Sequence, residues 1–295
     1  MKANSIIAAP GCAAAAFGVD LARARDVRVL VMTGYGLNCE AETAAGFSML
    51  GAEVTRAHAA EIFEGGPDAL RGYHVLAFIG GFSFGDHIAS GRVYANRLRY
   101  RLGERLARFI DDGGLAIGIC NGFQTMVKLG LLPALGRAPA SGLAPQTASL
   151  LHNDRLGYRD AWVRLVIEQA SPCAWTRGLA GPIELPSRHG EGKLVFLDDE
   201  LATAVAAAKL IPVRYADAEG RPTERWPDNP NGSPGGAAGL CDASGRLFGL
   251  MPHPEAFLYP ESHPEWLARR DAGTLPEFGA GLGILAGGVR AAIEG

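Results

Sequence analysis

One cysteine of this sequence, Cys120, lies between two glycines where an apolar run gives way to an amphipathic one, within residues 115–124. A thiol attacks as its thiolate, and a helix that begins just after the sulfur directs unpaired N–H groups and its positive dipole end toward it. Gly118 and Gly122 lack side chains, so neighbouring backbone can approach a sharply bent residue. The pattern indicates a reactive thiol on a strand-to-helix turn, and a buried strand cysteine beside an ordinary turn is the alternative.

A nucleophilic cysteine needs a base that accepts its proton, and His253 is the histidine whose surroundings suit that role best. It follows the apolar run 246–251, prolines stand on either side of it, and Glu255 lies two residues further along the chain. The prolines fix the backbone around the imidazole, and Glu255 could orient the ring. The alternative is a strand ended by prolines, with a solvent-exposed histidine and glutamate.

The attack also needs hydrogen-bond donors for the oxyanion that forms on the carbonyl. Gly80 and Gly81 follow a buried run, and a glycine pair there can direct a backbone N–H into the same crevice as the N–H of Asn121. A tight turn is the simpler explanation of these glycines. His189 lies in a glycine-rich turn after a short strand, where contact with a substrate and plain exposure to solvent are both open.

Apolar runs alternate with amphipathic segments through the first half of the chain, which predicts strands that alternate with helices. The predicted strands are residues 27–33, 52–57, 74–79 and 115–120, and the predicted helices are residues 40–50 and 96–112. Because the hydrophobicity of the strands is continuous, we expect an α/β fold with a mostly parallel central sheet and helices on both faces. Ligands gather beyond the carboxyl ends of such strands, where Gly80, Gly81 and Cys120 fall.

The second half of the chain is richer in strands, after a connection over residues 131–145 that is dense in proline, alanine and glycine. The predicted strands are residues 162–168, 183–185, 193–197 and 210–215. We expect this half to contribute an antiparallel edge. Proline and glycine recur through residues 221–236, which predicts a long loop, and residues 263–295 are expected to form two helical stretches.

Composition and charge narrow the classes of function. The chain has 295 residues with 28 Lys and Arg against 31 Asp and Glu, so a surface that neutralises nucleic-acid phosphates is not indicated. Its five cysteines are widely spaced and form no C-x-x-C pair, which disfavours a disulfide framework and a zinc ribbon. No apolar run reaches the roughly 18 residues of a membrane-spanning helix, so we expect no membrane partner.

Residues 1–26 contain a small-residue stretch around Cys12 that loosely resembles a secretory or lipoprotein signal. Pro10 and Gly11 interrupt its short apolar part, so we expect a flexible extension before the first strand instead. The odd number of widely spaced cysteines favours a protein of the reducing cytoplasm.

Three of these motifs, at residues 80–86, 118–124 and 251–255, stand in one order and together resemble the class I (triad) glutamine amidotransferases. Two further motifs, at residues 185–192 and 228–233, are similar to those of the glutaminase components of phosphoribosylformylglycinamidine synthases, enzymes of purine biosynthesis. Five motifs in one order are far more specific than any one of them. The resemblance implies the flavodoxin-like sheet of that class, with an antiparallel edge.

The same resemblance implies a glutaminase that works through a Cys-His-Glu triad. Cys120 would attack the side-chain amide of glutamine, His253 would carry the proton, and Glu255 would orient His253. Ammonia would leave as a thioester forms, and water would then release glutamate. The residues that the resemblance assigns to the oxyanion or to glutamine binding are Gly81, Phe82, Asn121, Gln124 and His189.

The family passes its ammonia to a synthetase partner, which uses ATP to convert formylglycinamide ribonucleotide into its amidine. We therefore expect glutamine as the substrate, a synthetase subunit as the partner, and ATP and Mg on that partner. This chain is expected to hold no cofactor and no metal, and its lack of a G-x-x-x-x-G-K-[ST] phosphate loop agrees with that expectation. The presence of a small bridging subunit is left open.

The resemblance covers residues 27–255 and implies an amidotransferase domain over residues 27–260, followed by a helical tail over residues 261–295. The sequence departs from the family pattern at Ala256, where arginine is common, and at Arg188, where alanine is more common. Two alternatives stand beside the leading interpretation. One is a stand-alone cysteine hydrolase of the same fold, and the other is a non-catalytic subunit that keeps the fold for assembly.

Overall fold

The computed structural model describes residues 8–135 and 142–295, which form three β-sheets surrounded by α-helices. The helices are α1 (Leu21–Ala24), α2 (Glu40–Met49), α3 (Ala59–Glu64), α4 (Arg92–Asp111), α5 (Asn121–Lys128), α6 (Asp199–Ala207), α7 (Trp266–Asp271) and α8 (Gly281–Glu294). The strands are β1 (Arg28–Thr33), β2 (Glu53–His58), β3 (Val75–Phe78), β4 (Leu115–Ile119), β5 (Ala148–His152), β6 (Arg159–Ile167), β7 (Ile183–His189), β8 (Glu191–Phe196), β9 (Val213–Ala216), β10 (Gly239–Cys241) and β11 (Leu247–Leu250).

Six strands form the central sheet, in the order β10-β11-β4-β3-β1-β2. Neighbouring strands are parallel except for β10 and β11, which pair antiparallel at one edge. Every residue of β3, β4 and β11 is buried, as strands covered on both faces require. The mostly parallel sheet with an antiparallel edge is therefore confirmed, and the carboxyl ends of β3, β4 and β11 lie side by side.

The second half of the chain adds two small antiparallel sheets, one of β5 with β8 and one of β6 with β7 and β9. An isolated bridge between Ser187 and Pro252 joins β7 to the segment that follows β11. The predicted loop at residues 221–236 contains no α-helix or β-strand. Part of the predicted connection at residues 131–145 lies outside the described residues.

The prediction of a flexible N-terminal extension is wrong for residues 8–26, which the structure describes as packed on the domain. Ala13 and Ala14 are buried, and the N–H of Ala13 donates to the carbonyl of Met49 at 2.9 Å. The carboxylate of Asp20 caps α1 by accepting from the N–H of Ala22 at 2.9 Å. The small side chains that resembled a signal segment allow this close packing. Residues 1–7 lie outside the described residues.

The two predicted C-terminal helical stretches are present as α7 and α8, and α8 belongs to the core. Its Leu282, Ile284 and Leu285 are fully buried, and the helix packs against α1 and α2. The guanidinium of Arg290 donates to the carbonyl of Phe17 at 2.6 Å, which ties α8 to the N-terminal segment. Among the described residues, no helix is both long and apolar enough to cross a membrane.

The turn between β4 and α5 depends on a close approach of α5 to β3. A Cβ atom on Gly122 would lie 1.8 Å from the carbonyl oxygen of Phe78, and one on Gly118 would lie 2.9 Å from the carbonyl carbon of Gly122. Real Cβ atoms do not approach backbone so closely, so both positions require glycine. The two glycines that flank Cys120 thus let the helix begin directly against the sheet.

We predict that Gly122→Ala lowers the free energy of unfolding by at least about 3 kcal/mol, because the new methyl group meets backbone that cannot move aside. Gly103→Ala is the matched control, since Gly103 lies in α4 and its Cβ would meet nothing nearer than Leu143 at 4.0 Å. The free energy of unfolding of this control should rise by up to about 1 kcal/mol, because alanine favours the helix more than glycine does. Urea denaturation followed by circular dichroism measures both, and equal stabilities of the two variants would contradict the packing argument.

Candidate active site

Cys120 occupies a sharp elbow between the end of β4 and the start of α5. Its backbone has φ 52° and ψ −106°, a conformation that costs a residue with a side chain about 1–3 kcal/mol. Two hydrogen bonds hold it there, from its own N–H to the carbonyl of Leu250 at 2.8 Å and from the N–H of Gln124 to its carbonyl at 3.0 Å. The elbow turns the side chain out of the sheet and into a cavity, as a nucleophile requires.

His253 and Glu255 form a buried pair in the segment after β11. The Nδ1 atom of His253 lies 2.6 Å from Oε1 of Glu255, and the N–H of His253 donates to the carbonyl of Pro186 at 2.8 Å. Because a carboxylate only accepts, Nδ1 carries the proton and Nε2 is left to exchange one. Nε2 is buried and has no hydrogen-bond partner among the residues described, so it is available as a base.

The electrostatics of this pair favour a charged imidazole. Burial opposes the charge, but the Glu255 carboxylate and the nearby Cys120 raise the pKa of His253 well above its ordinary value. An imidazolium beside a sulfur stabilises negative charge on that sulfur. The three predicted triad residues therefore meet in one place, in an arrangement that can activate a thiol.

A cavity of about 250 Å³ opens over the sulfur of Cys120. It is lined by Asn38, Cys39, Glu42, Gly81, Phe82, Asp86, Ser90, Cys120, Gln124, Tyr158, Arg188, His189, Gly190, Glu191, His253, Glu255 and Ala256. Polar and charged residues dominate this lining, which suits a small polar substrate. Of the eight residues predicted for the site, seven line the cavity, and Asn121 follows Cys120 directly.

The backbone N–H groups near the glycine pair differ in whether they are free to bind an oxyanion. The N–H of Gly81 and the N–H of Asn121 have no hydrogen-bond partner within the described parts of the chain. In contrast, the N–H of Phe82 donates to the carbonyl of Gly36 at 2.9 Å, so this amide is not free to bind an oxyanion. Phe82 instead meets the mouth of the cavity with a side chain that is 49% exposed.

The side chains of Asn121 and Gln124 hold the elbow in place. The amide of Asn121 donates to Asp86 at 3.0 Å and to Gln124 at 3.1 Å, and the amide of Gln124 donates to the carbonyl of Glu191 at 2.6 Å. Burial raises the pKa of Asp86, although hydrogen bonds from Ser90, Asn121 and the Gly91 N–H oppose this. Asn121 thus contributes a backbone donor to the site and uses its side chain for support.

His189 is buried at the end of β7 rather than exposed in a turn. Its Nδ1 lies 3.1 Å from Oδ1 of Asn153, and its Nε2 has no partner among the described residues. Burial, together with the charge of His253, lowers the pKa of His189 to about 3. His189 is therefore neutral near pH 7 and offers an uncharged ring nitrogen to the cavity.

The motif at residues 228–233 supports this part of the site from behind. The amide of Asn231 donates to the hydroxyl of Tyr215 at 3.0 Å. The N–H of Leu194 donates to the hydroxyl of Ser233 at 3.0 Å, and that hydroxyl donates to Asn231 at 2.7 Å. Gly192 in β8 lets Asn231 and His189 pack against this strand. A Cβ there would lie 2.7 Å from the ring of His189 and 3.0 Å from the side-chain nitrogen of Asn231. The side chains of the long loop therefore help to hold His189 and β8 in place.

A family model described as a CobB/CobQ-like glutamine amidotransferase domain matches residues 26–280. The subunit PurQ of phosphoribosylformylglycinamidine synthase from Methanococcus maripaludis is 39% identical over 257 residues, which are 85% of this chain and 92% of that protein. The PurQ subunit from Dehalococcoides mccartyi is 38% identical over 265 residues, with 90% and 97% covered. The chain belongs to the PurQ family of glutamine amidotransferases.

A solved structure agrees with this assignment of the family. PurLQS from Thermotoga maritima matches with a TM-score of 0.65 and 25% identity, over 90% of this chain and 98% of that one. The resemblance read from five motifs is thereby confirmed, as is the class I amidotransferase fold.

Several residues that line the amidotransferase cavity were not predicted as site residues, and Cys39, Tyr158 and Arg188 are three of them. Cys39 follows β1 and lies beside His253, and its position after a strand end was a usable signal. Tyr158 reaches the cavity next to β6 and lies in none of the motifs, so nothing in the sequence indicated it. Arg188 stood out only as a departure from the family pattern, yet its carbonyl lies 3.5 Å from the sulfur of Cys120.

Phe82 and Tyr158 line the cavity with large, exposed side chains, and we call these two, with the exposed Ile88 and Leu156 that lie close to the cavity residues in sequence, the apolar rim. The rings of Phe82 and Tyr158 lie 6.1 Å apart. Ile88 lies two residues from Asp86 and is 72% exposed, and Leu156 lies two residues from Tyr158 and is 84% exposed. Exposed apolar residues gathered at one place are typical of a surface that a partner covers.

We predict that the buried, neutral His189 makes the protein lose stability in acid. Its pKa of about 3 in the folded chain lies below the roughly 6.5 of an unfolded imidazole, so below pH 6.5 only the unfolded state gains the proton. Between pH 7 and pH 5 this difference amounts to about 2 kcal/mol of unfolding free energy. In His189→Gln, the fall in unfolding free energy from pH 7 to pH 5 should be smaller by about that amount. Urea titrations at the two pH values measure it.

The control for this experiment is His87→Gln, which removes an exposed histidine. It should lose as much stability between pH 7 and pH 5 as the unmodified chain does. An acid dependence that is the same in the His189 variant and in the unmodified chain would contradict the burial of a neutral imidazole.

Proposed function

We propose that this chain is the glutaminase component of a phosphoribosylformylglycinamidine synthase, with Cys120, His253 and Glu255 as its catalytic triad. The observation that carries the proposal is the buried hydrogen bond of 2.6 Å between His253 and Glu255, beside a cysteine held on a strained elbow. A PurQ-like chain with this arrangement has the nucleophile, base and orienting group that amide cleavage needs.

In the first half of the reaction, the thiolate of Cys120 attacks the side-chain amide carbon of glutamine. The free N–H groups of Gly81 and Asn121 stabilise the oxyanion of the tetrahedral intermediate. His253 gives its Nε2 proton to the amide nitrogen, the C–N bond breaks, and ammonia leaves. A γ-glutamyl thioester on Cys120 remains.

In the second half, His253 is neutral at Nε2 and takes a proton from water, which attacks the thioester carbon. The C–S bond breaks, glutamate leaves, and the proton on His253 restores the charged imidazole beside the thiolate. Glu255 keeps the ring oriented through both steps and stabilises its positive charge. The unpartnered Nε2 of buried His189 leaves an acceptor for an N–H group of the bound glutamine.

The ammonia goes to a synthetase partner, which forms the amidine of formylglycinamide ribonucleotide with ATP. The Thermotoga maritima neighbour is PurLQS, in which Q stands with L and S components. This supports a synthetase subunit and a small bridging subunit for the present chain as well. We assign ATP and Mg to the synthetase, and the lack of a phosphate-loop motif in this sequence supports that assignment.

The apolar rim is the surface that we assign to this partner. Phe82 and Tyr158 line the cavity, so a subunit that buried them would also cover part of the cavity opening. Burial of exposed apolar side chains favours association. The five cysteines are all free, which supports a reducing compartment, and we propose that the complex works in the cytoplasm.

Replacement of the nucleophile separates the two half-reactions. In the complex reconstituted with the synthetase subunit, Cys120→Ala should lower glutamine-dependent amidine formation by at least about a thousandfold. The rate with ammonium as nitrogen source should stay within about twofold of the unmodified complex, because the synthetase site is intact. Coupled assays of ADP release with each nitrogen source measure both rates.

Cys12→Ser serves as the control, since Cys12 is an exposed free cysteine outside the cavity. It should retain both activities. If the Cys120 variant kept its glutamine-dependent rate, or lost the ammonium-dependent rate as well, the role of Cys120 would be disproved.

A further inference from the structure

Cys39 is a cavity residue that the glutaminase mechanism does not use. It stands at the N-terminal end of α2, and its sulfur approaches the imidazole of His253 across Gly80. A Cβ atom on Gly80 would lie 3.2 Å from the sulfur of Cys39 and 3.0 Å from Cε1 of His253. Burial is the main cause that raises the pKa of this thiol to about 11, so Cys39 is a neutral thiol beside the catalytic base.

The sulfur of Cys39 completes a set of potential metal ligands. One ligand atom each from Cys39, His253 and Glu255 lie within 4.8 Å of one another. Nε2 of His253 and Oε2 of Glu255 are buried without a hydrogen-bond partner among the described residues. Ligand atoms around a tetrahedral zinc ion stand between about 3 and 4 Å apart, as follows from bond lengths of about 2.0 to 2.3 Å. Small side-chain movements would therefore bring the three atoms to binding distance.

We propose that Cys39, His253 and Glu255 form an inhibitory site for Zn²⁺ or a similarly soft divalent cation. The proposal rests on the proposed function for its inhibitory effect, although the metal site itself does not. Thiolate, imidazole and carboxylate together suit zinc, whereas magnesium and calcium prefer oxygen ligands alone. Binding at Nε2 of His253 releases the Nε2 proton of the charged imidazole, and binding at Cys39 releases its thiol proton. The Nδ1 proton stays on the ring, and only the metal–ligand bonds form.

The bound cation would stop the glutaminase by occupying its base. An imidazole whose Nε2 ligates zinc cannot carry the proton of the leaving ammonia. Three protein ligands leave the fourth tetrahedral position for water or for a cavity group. Cys39 is the only one of the three ligands that the glutaminase mechanism does not use. Its replacement therefore tests the metal site without removing a triad residue.

Cobalt binding tests the site without an activity assay. Co²⁺ can replace zinc, and it absorbs light when a thiolate ligates it. The full chain should bind one Co²⁺ with a thiolate charge-transfer band, and an excess of Zn²⁺ should remove the band. Cys39→Ser should bind Co²⁺ at least about tenfold more weakly and lose the band. Cys120→Ala should keep it, as should Cys173→Ser and Cys12→Ser, which alter cysteines outside the cavity.

A band that survives in the Cys39 variant, or that disappears only with Cys120 or Cys173, would overturn the proposal. In the reconstituted complex, the Zn²⁺ concentration for half-inhibition of the glutamine-dependent rate should rise at least about tenfold in Cys39→Ser, relative to that variant's own zinc-free rate. Equal inhibition of the two complexes would refute the inhibitory role. Cobalt binding without glutaminase activity in any form would contradict the proposed function and leave the metal site standing.

Discussion

The buried hydrogen bond between His253 and Glu255 is the interaction on which the rest of the site depends. Both side chains are almost fully removed from water, so neither charge is tolerable there without the other. Their contact of 2.6 Å fixes the tautomer and leaves one ring nitrogen to exchange protons with Cys120. The same pairing raises the pKa of His253 against the effect of burial.

The central sheet brings this pair to the nucleophile. β4 and β11 are parallel neighbours, so the segments that follow them end at the same edge, and the N–H of Cys120 donates to the carbonyl of Leu250. From the other side, the backbone of His253 is held by Pro186 at β7. The elbow is strained at Cys120, and the close packing of α5 on β3 through Gly122 holds it. Stability in the sheet therefore offsets strain at the reacting residue.

Much of this arrangement could be predicted from the sequence because it follows local patterns. Continuous apolar runs indicated the parallel strands, and motifs at the strand ends identified Cys120, His253 and Glu255. The errors lay where distant segments meet. The bond from Phe82 to Gly36 and the burial of His189 beside Asn153 depend on pairings that no local pattern shows. Tyr158 was missed for the same reason, whereas Cys39 was missed although it follows the end of a strand. The alanine-rich start was mistaken for a flexible extension, since small residues suit both a signal and a tight packing surface.

Alkylation of the complex by a diazoketone analogue of glutamine, followed by peptide mass spectrometry, tests whether Cys120 is the nucleophile and Glu255 its orienting partner. We predict one adduct per chain, on Cys120, and a rate of labelling at least about a hundredfold lower in Glu255→Gln, because the imidazole loses its orienting carboxylate. An adduct on Cys39 in place of Cys120, or a labelling rate unchanged by the loss of the Glu255 carboxylate, would contradict these roles.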